Sequence, residues 1–252
     1  MNLQQKKDNS FLATEPLGRL LLKLSLPTVT AQVINMLYNI VDRIYIGHIP
    51  ETGALALTGV GVCMPLIMIV SAFAALVGNG GAPRASIFMG KGDKESAEQT
   101  LGNCFTTQIV VSLLLTLILF TGNKSFLMAF GASENTIPYA VAYMNIYSLG
   151  TIFVQLTLGM NAFITAQGFA KTSMLSVLVG AASNIILDPI FIFALHMGVR
   201  GAALATIVSQ ALSCTWVLHF LMGKKSYLKI HRCNMKLKKD IILPSLALGL
   251  ST

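Results

Sequence analysis

The chain has 252 residues, of which 54% are hydrophobic and only 11% are charged, and its mean hydropathy is +0.69. A soluble globular domain carries about 25% charged residues, so this composition excludes an ordinary soluble fold and predicts a polytopic membrane protein. The net charge of +8 would suggest a nucleic-acid partner in a soluble chain. Here the basic residues lie in short segments between apolar runs, so membrane topology explains them and we expect no nucleic-acid partner.

Six apolar segments are long enough to cross a bilayer core, which requires about 20 residues per helix. In chain order they are 24–46, 54–78, 101–121, 138–166, 172–195 and 200–221. We therefore predict an all-α membrane protein with an N-terminal segment (1–23), a six-helix transmembrane lobe (24–221), a basic linker (222–240) and the start of a seventh helix (241–252). The last segment covers about 18 Å as a helix, too short for a core of about 30 Å.

The basic residues predict the orientation of these helices. All but three of the 18 Lys and Arg residues fall on one side of the predicted membrane, the exceptions being Arg43, Lys124 and Arg200. The positive-inside rule then places the N-terminus and the linker in the cytoplasm, with the helices in the inner (plasma) membrane. The first 23 residues contain no apolar signal region, so we expect the first helix to target the chain. The linker has the composition of an anionic-lipid or nucleic-acid patch as well, but we interpret it as a cytoplasmic connector.

Two acidic residues, Asp42 and Asp188, lie inside the apolar segments, whereas the other eight acids fall in tails, loops or helix ends. An acid at the bilayer centre costs about 2.5–3.5 kcal/mol, which makes such residues functional by default. Counting residues from the outer helix ends puts Asp42 about 6 Å deep, Asp188 about 10 Å and Thr206 about 9 Å. Asn184 precedes Asp188 by one turn on the same face. These hard oxygen ligands suit a small cation such as Na⁺ or a shared proton.

Other interpretations of these residues remain open at this stage. Asp42 is near enough to the interface to be hydrated or paired with Arg43, and Asn184 and Thr206 are residue types that often hydrogen-bond between membrane helices. Pro189 removes a backbone donor beside Asp188 and predicts a loosened helix there. The stretch "GNGGAP" (78–83) follows a helix rather than a strand, which predicts close helix packing or a turn instead of a phosphate loop.

The cysteines and histidines give no sign of an enzyme or of a bound cofactor. Cys63, Cys104, Cys214 and Cys233 are scattered and form no metal-binding pair. The four histidines have no metal spacing, and no serine has a nucleophile setting. One repeat is visible instead: "LSLPTV" (24–29) and "IILPSL" (241–246) each place a Leu-Pro step at the start of an apolar helix. Six helices lie between them, which favours a second six-helix repeat of the kind found in secondary transporters.

Five segments give the chain a family resemblance: "LPTVTAQVINMLYNIVDRIYIGHI", "VGNGGAPRASIFMGKGD", "MNAFITAQGFAKTSM", "SNIILDPIFIF" and "GVRGAALATIVSQ". Together they resemble the N-terminal lobe of a prokaryotic multidrug and toxic compound extrusion (MATE) transporter. The resemblance implies twelve helices in two lobes, so a C-terminal lobe is expected as a partner. It implies efflux of cationic, lipophilic, drug-like compounds, including antibiotics and other xenobiotics, in exchange for Na⁺ or H⁺ by alternating access.

The resemblance also implies the functional residues. The cation-coupling site would consist of Asp42, Asn184, Asp188 and Thr206, and the substrate cavity would include Asn35, Tyr38 and Asn161. Alternatives are a flippase for lipid-linked precursors, which requires a strongly cationic cavity, and a lone lobe without transport activity. A seven-helix receptor requires a complete seventh span, and an intramembrane enzyme requires a catalytic set that the sequence lacks.

Overall fold

The computed structural model describes residues 16–251, and all regular structure in that range is helical. The main helices are α1 (Leu17–Gly47), α2 (Gly53–Gly90), α3 (Lys94–Ala129), α4 (Ile137–Leu149), α5 (Thr151–Ala166), α6 (Ala170–Pro189), α7 (Val199–Met222) and α8 (Lys239–Gly249). A π-helical turn, Ile190–Ala194, extends α6, and a 3₁₀ turn, Arg232–Met235, precedes α8. Five described helices are long and apolar enough to cross a membrane, and α4 with α5, bent by 57°, gives a sixth. The predicted all-α polytopic fold is confirmed.

Several helices extend beyond the predicted apolar segments, because hydropathy marks the lipid-soluble part of a helix rather than its ends. Residues 1–15 of the predicted N-terminal segment lie outside the described residues, but helix α1 already begins at Leu17 instead of residue 24. Helix α2 continues to Gly90 instead of ending at residue 78, and its 38 residues form one unbroken helix. A helix of that length covers about 57 Å, so it extends well beyond a core of about 30 Å.

The glycine-rich stretch 78–83 lies inside α2, where it packs against other helices. A Cβ atom on Gly78 would lie 2.9 Å from the Cα and carbonyl oxygen of Gly159 on α5. A Cβ atom on Gly81 would lie 2.7 Å from the ring of Phe163. Because small residues let two helix backbones approach closely, these glycines set the α2–α5 crossing. Of the two predictions for this stretch, close packing is confirmed and a turn is wrong.

Two buried glutamines attach neighbouring helices to α2. The side-chain amide of Gln108 on α3 donates to the carbonyl of Ala74 at 3.0 Å, and that of Gln155 on α5 donates to the carbonyl of Val70 at 2.8 Å. Both side chains are fully buried. Interhelical hydrogen bonds of this kind contribute about 0.6–2 kcal/mol in membranes, so they fix α3 and α5 against successive turns of α2.

Helices α2, α3 and α5 form a packed framework, and helix α1 lies at its side. It packs chiefly against α6 and makes fewer contacts with α2 and α7. Its outer face leaves large apolar side chains exposed, including Leu26 (67%) and Met36 (70%). Its inner face, in contrast, borders two clefts that separate it from α2 and α5.

The linker after α7 is fastened to one end of the bundle. The side-chain oxygen of Gln167, at the end of α5, accepts hydrogen bonds from the hydroxyl of Ser226 (3.0 Å) and from the backbone N–H groups of Tyr227 and Leu228 (both 2.9 Å). Further along, Asn103 on α3 accepts a hydrogen bond from the backbone N–H of Lys238 at 2.7 Å. These bonds hold the basic linker against the ends of α3 and α5.

Helix α8 also packs against the framework. Its backbone at Ser245 approaches Gly80 so closely that a Cβ atom on Gly80 would collide with the carbonyl of Ser245. Gly249 contacts the backbone of Leu76 in the same way. The start of the predicted seventh helix therefore lies in a glycine-lined groove of α2.

A first prediction concerns the α2–α5 crossing. Gly78→Ala should lower the free energy of unfolding by about 1–3 kcal/mol, because the added methyl group has to displace the backbone of Gly159. Thermal unfolding of the purified chain in detergent, followed by circular dichroism, measures the effect. Gly61→Ala is the matched control, since a Cβ atom there meets nothing within 4 Å. Equal stability of the two variants would contradict the proposed role of Gly78.

A second prediction concerns the linker. Gln167→Leu should leave the backbone N–H groups of Tyr227 and Leu228 without their acceptor, at a cost of about 1–3 kcal/mol. Hydrogen–deuterium exchange should then be faster at the backbone amides of Tyr227 and Leu228. Gln99→Leu serves as a control, because Gln99 contacts the linker only through the side chain of Lys238 (3.2 Å). Unchanged exchange in Gln167→Leu would show that the linker is held by other contacts.

Candidate functional site

The site is built around two acidic side chains from different helices. Asp42 lies on α1 and is 9% exposed, and Asp188 lies at the end of α6 and is 0% exposed. Their carboxyl groups are within hydrogen-bonding reach of each other. Within residues 16–251, neither Oδ1 of Asp42 nor Oδ2 of Asp188 has a hydrogen-bond partner. Two like charges this close in an apolar setting repel strongly, so the pair is suited to hold a cation or a proton between its oxygens.

Asn184 and Thr206 stand beside this pair in different ways. The side-chain amide of Asn184 donates to Oδ1 of Asp188 at 3.2 Å, while its own oxygen is buried and has no partner among the described residues. Thr206 on α7 donates to the carbonyl of Ala202 at 3.0 Å and lines the same cleft as Asp42 and Tyr143. The structure therefore brings Asn184 directly onto the acid pair and places Thr206 at its edge.

Two tyrosines that the sequence analysis did not single out complete this surface. Tyr143 and Tyr147 on α4 are 4% and 3% exposed, and their rings stack with centroids 6.1 Å apart. Both line the same cleft as Asp42. The available signal was the four-residue spacing of Tyr139, Tyr143 and Tyr147, which places the three side chains on one helix face.

Asp42 faces a cleft of about 660 Å³, which we call the acid cleft. Its lining includes Tyr38, Asp42, Arg43, Met64, Tyr143, Tyr147, Thr206 and Gln210. The volume is in the range of about 300–1,000 Å³ that is typical of pockets for drug-sized ligands. The guanidinium of Arg43 donates to the sulfur of Met64 at 3.1 Å, so it points toward α2 rather than forming an ion pair with Asp42.

A second cleft of about 920 Å³ continues along α1 toward its N-terminal end. Its polar lining includes Thr28, Gln32, Asn35, Ser71, Asn79, Ser86, Asn161, Thr165 and Ser173, and it contains no charged residue. We call it the neutral cleft. It shares Gln32, Asn35, Ser71 and Leu158 with the acid cleft, so the two form one groove beside the polar face of α1.

The three predicted cavity residues are divided between these clefts. Asn35 borders both clefts, and Tyr38 borders only the acid cleft of the two. Asn161 on α5 borders the neutral cleft, where its amide donates to the hydroxyl of Ser176 at 2.9 Å. The structure therefore does not place Asn161 beside the acid pair.

The end of α6 has unusual helical geometry beside Asp188. Pro189 closes the α-helix, and the next five residues form the π-helical turn Ile190–Ala194. Proline removes a backbone donor, and π-helical turns often occur at functional sites. The loosened helix that the sequence predicted next to Asp188 is thus present as a wide turn.

Comparisons with known proteins agree with this architecture. Residues 27–190 match the MatE family. The chain is 27% identical over 226 residues to the multidrug export protein MepA of Staphylococcus haemolyticus, which covers 90% of this chain and 50% of MepA. It superimposes with a TM-score of 0.87 and 26% identity on a MOP superfamily transporter from Pyrococcus furiosus, covering 96% of this chain and 53% of that one.

A second solved structure, of MATE in the straight conformation, also gives a TM-score of 0.87 at 26% identity, covering 96% of this chain and 54% of that one. The chain thus spans about half the length of the relatives that it matches. The family match covers most of the membrane-spanning helices, and the fold and the acid pair lie largely within it. On this basis the chain belongs to the MatE family of multi-pass membrane transporters, whose members are efflux proteins rather than enzymes.

Proposed function

We propose that this chain is the N-terminal lobe of a multidrug efflux antiporter, which exports cationic, lipophilic compounds in exchange for Na⁺ or H⁺. The observation that carries the proposal is the buried pair of Asp42 and Asp188, with two carboxyl oxygens that have no partner among the described residues. The relative MepA of Staphylococcus haemolyticus is a multidrug export protein, which supports the same class of activity.

The coupling ion would bind between the two carboxyl groups. A Na⁺ ion would take oxygens from Asp42 and Asp188 and from the amide of Asn184, whose oxygen is also unpartnered in the described chain. All of these are hard ligands of the kind that small hard cations prefer. A single proton shared between the carboxyl groups would reduce the repulsion as well, by giving one of them a donor. The hydroxyl of Thr206 would contribute from the edge of the site.

Ion binding would act on the position of α1. Asp42 belongs to α1 and Asp188 belongs to α6, the helix against which α1 chiefly packs. With the site empty, the two charges repel across this interface; with a cation bound, they attract it jointly. Pro27 lies inside α1 and removes one backbone hydrogen bond there, so the helix has a position at which it can bend. We propose that ion binding shifts α1 between straight and bent states and so changes access to the clefts.

The acid cleft has the lining expected for cationic, lipophilic cargo. Met36, Met64 and Met68 contribute flexible, polarisable side chains that adapt to ligands of different shape. The faces of Tyr143 and Tyr147 and the carboxylate of Asp42 attract positive charge. The cargo and the coupling ion would therefore compete for electrostatic attraction by the carboxylate of Asp42.

The flippase alternative has less support. A cavity for a lipid-linked pyrophosphate requires several cationic side chains, but among residues 16–251 Arg43 is the one cation lining the acid cleft, and none lines the neutral cleft. Reversed pocket polarity has been described for the transporter from Pyrococcus furiosus, for which a different function was suggested. The acid pair in this chain retains the polarity that favours cations.

The proposal includes an orientation and a partner. Lys91, Lys94 and Lys171 lie near the helix ends at which the basic linker is bound, and the positive-inside rule places this end in the cytoplasm. The open side of the two clefts would be covered by a second six-helix lobe, as expected from relatives of about twice this length.

The third prediction tests the ion site directly. The purified chain in lipid nanodiscs should either bind ²²Na⁺ or show a protonated-carboxyl band in infrared pH titrations. Asp42→Asn or Asp188→Asn should weaken Na⁺ binding at least tenfold or remove the infrared band. Either change deletes one of the two facing carboxylates. Glu134→Gln is the matched control, because Glu134 is an exposed acid in the loop between α3 and α4. If both Asp variants retained full ion binding and the infrared band, the site would lie elsewhere.

A fourth prediction concerns transport by the two-lobe protein. Asp42→Asn should abolish ion-driven drug efflux at normal expression, because the coupling ion would lose one of its two carboxylates. Efflux is measured as the loss of a fluorescent cationic dye from loaded cells after an ion gradient is imposed. Undiminished ion-driven efflux would refute the coupling role of Asp42.

A further inference from the structure

A third cavity lies between α1, α5, α6 and α7, and Leu158 lines it together with both clefts. Its volume is about 40 Å³, and its polar lining includes Asn35, Asn161, Asn184, Thr206, Ser209 and Gln210. We call it the side pocket. None of its lining residues is charged.

Four side-chain oxygens of these lining residues have no partner. They are Oδ1 of Asn161, Oδ1 of Asn184, Oγ of Ser209 and Oε1 of Gln210, each buried and without a hydrogen bond to any described residue. Buried polar atoms are nearly always paired, so four such atoms around one cavity require an explanation. Three of them are amide oxygens, which only accept and therefore lack a donor or a cation, and the fourth is a hydroxyl, which can also donate.

The size of the side pocket decides what can fill it. A buried water needs about 10–15 Å³ of such space and two to four polar partners, so 40 Å³ has room for about three waters. A drug-sized ligand needs about 300–1,000 Å³. The side pocket therefore admits water and small ions and excludes cargo that fits the acid cleft.

The side pocket adjoins both clefts and also reaches a residue that contacts the acid pair. It shares Asn161 and Val177 with the neutral cleft, and it shares Tyr38 and Thr206 with the acid cleft. It also reaches Asn184, which donates to Asp188 at 3.2 Å. Asp188 is 0% exposed and borders none of the three cavities, so Asn184 is the lining residue through which the side pocket meets the acid pair.

We propose that the side pocket is a hydrated passage for small monovalent cations, Na⁺ or a hydrated proton, which joins the neutral cleft to the Asn184–Asp188 face of the acid pair. The passage rests on the proposed function only in taking the acid pair as its destination. Its neutral oxygens replace the hydration shell of an ion in transit, while their lack of charge avoids holding that ion tightly.

Silver ions test whether small cations reach the passage. Ser209→Cys places a thiol in the side pocket, and Cys214→Ala removes the native cysteine five residues away. Purified chain in nanodiscs is exposed to Ag⁺ and unfolded, and the remaining thiols are alkylated and quantified by mass spectrometry. Exposed Cys233 is the fast internal reference, and buried Cys63 is the slow one. We expect the cysteine introduced at position 209 to react with Ag⁺ at a rate within about tenfold of the rate of Cys233.

A glycine in the side pocket allows the passage to be blocked. A Cβ atom on Gly180 would lie 3.4 Å from the Cβ atom of Ser213, which is an ordinary contact, so the added methyl groups of Gly180→Val would occupy the pocket. This change should slow Ag⁺ modification at position 209 at least tenfold, and Gly180→Ala should slow it less. Gly61→Val, the same change at an open site on α2, should have no effect.

The outcomes separate the passage from the acid site. The passage is refuted if position 209 reacts as slowly as Cys63, or if Gly180→Val and Gly180→Ala both leave its rate unchanged. If Na⁺, but not K⁺ at equal ionic strength, slows Ag⁺ modification at position 209, then Na⁺ is the ion carried. If only acid slows this modification relative to that of Cys233, then the proton is the ion carried. If ²²Na⁺ and infrared measurements show no ion at Asp42 and Asp188 while Ag⁺ still reaches position 209, the proposed function fails and the passage does not.

Discussion

The arrangement of this lobe depends on one electrostatic constraint: two carboxyl groups from different helices meet in an apolar interior. Neither Asp42 nor Asp188 has enough partners among the described residues to offset its burial. A cation or a proton between them would relieve this repulsion, and the guanidinium of Arg43 is directed at Met64 rather than paired with Asp42. In the proposed mechanism, the energy of the α1–α6 interface would therefore change with the occupancy of a single cation, which makes it the natural point at which ion binding would affect structure.

The other helices of the bundle hold the carboxyl group of Asp188 in a fixed position. Glycine contacts and buried glutamine hydrogen bonds join α2, α3 and α5 into a closely packed framework. Helices α6 and α7 pack together on this framework and hold Asp188 and Thr206. Helix α1 packs chiefly against α6, and most of its large apolar side chains remain exposed. In the proposed mechanism, a change in charge at the acid pair would thus act directly on the interface that holds α1.

Much of this could be predicted from the sequence, because membrane helices and intramembrane acids leave local signals. Hydropathy locates the six spans, and helix depth groups Asp42 with Asp188 from the sequence alone. What failed depended on distant partners. The glycines of α2 allow either close packing or a turn until Gly159 and Ser245 are seen against them, and nothing local in the sequence pairs Asn161 with Ser176.

In the proposed mechanism, the division of charge between the cavities would give the two ligand classes different routes. Asp42 lines the acid cleft, whereas the polar groups that line the neutral cleft and the side pocket are uncharged. A further carboxylate in the side pocket would trap the cation there and slow its movement to the acid pair, because a neutral oxygen offers only a dipole. A wider side pocket would let cargo follow the ion. Narrow width and neutral lining are therefore both required if ion and drug are to exchange at one acid pair without sharing one path.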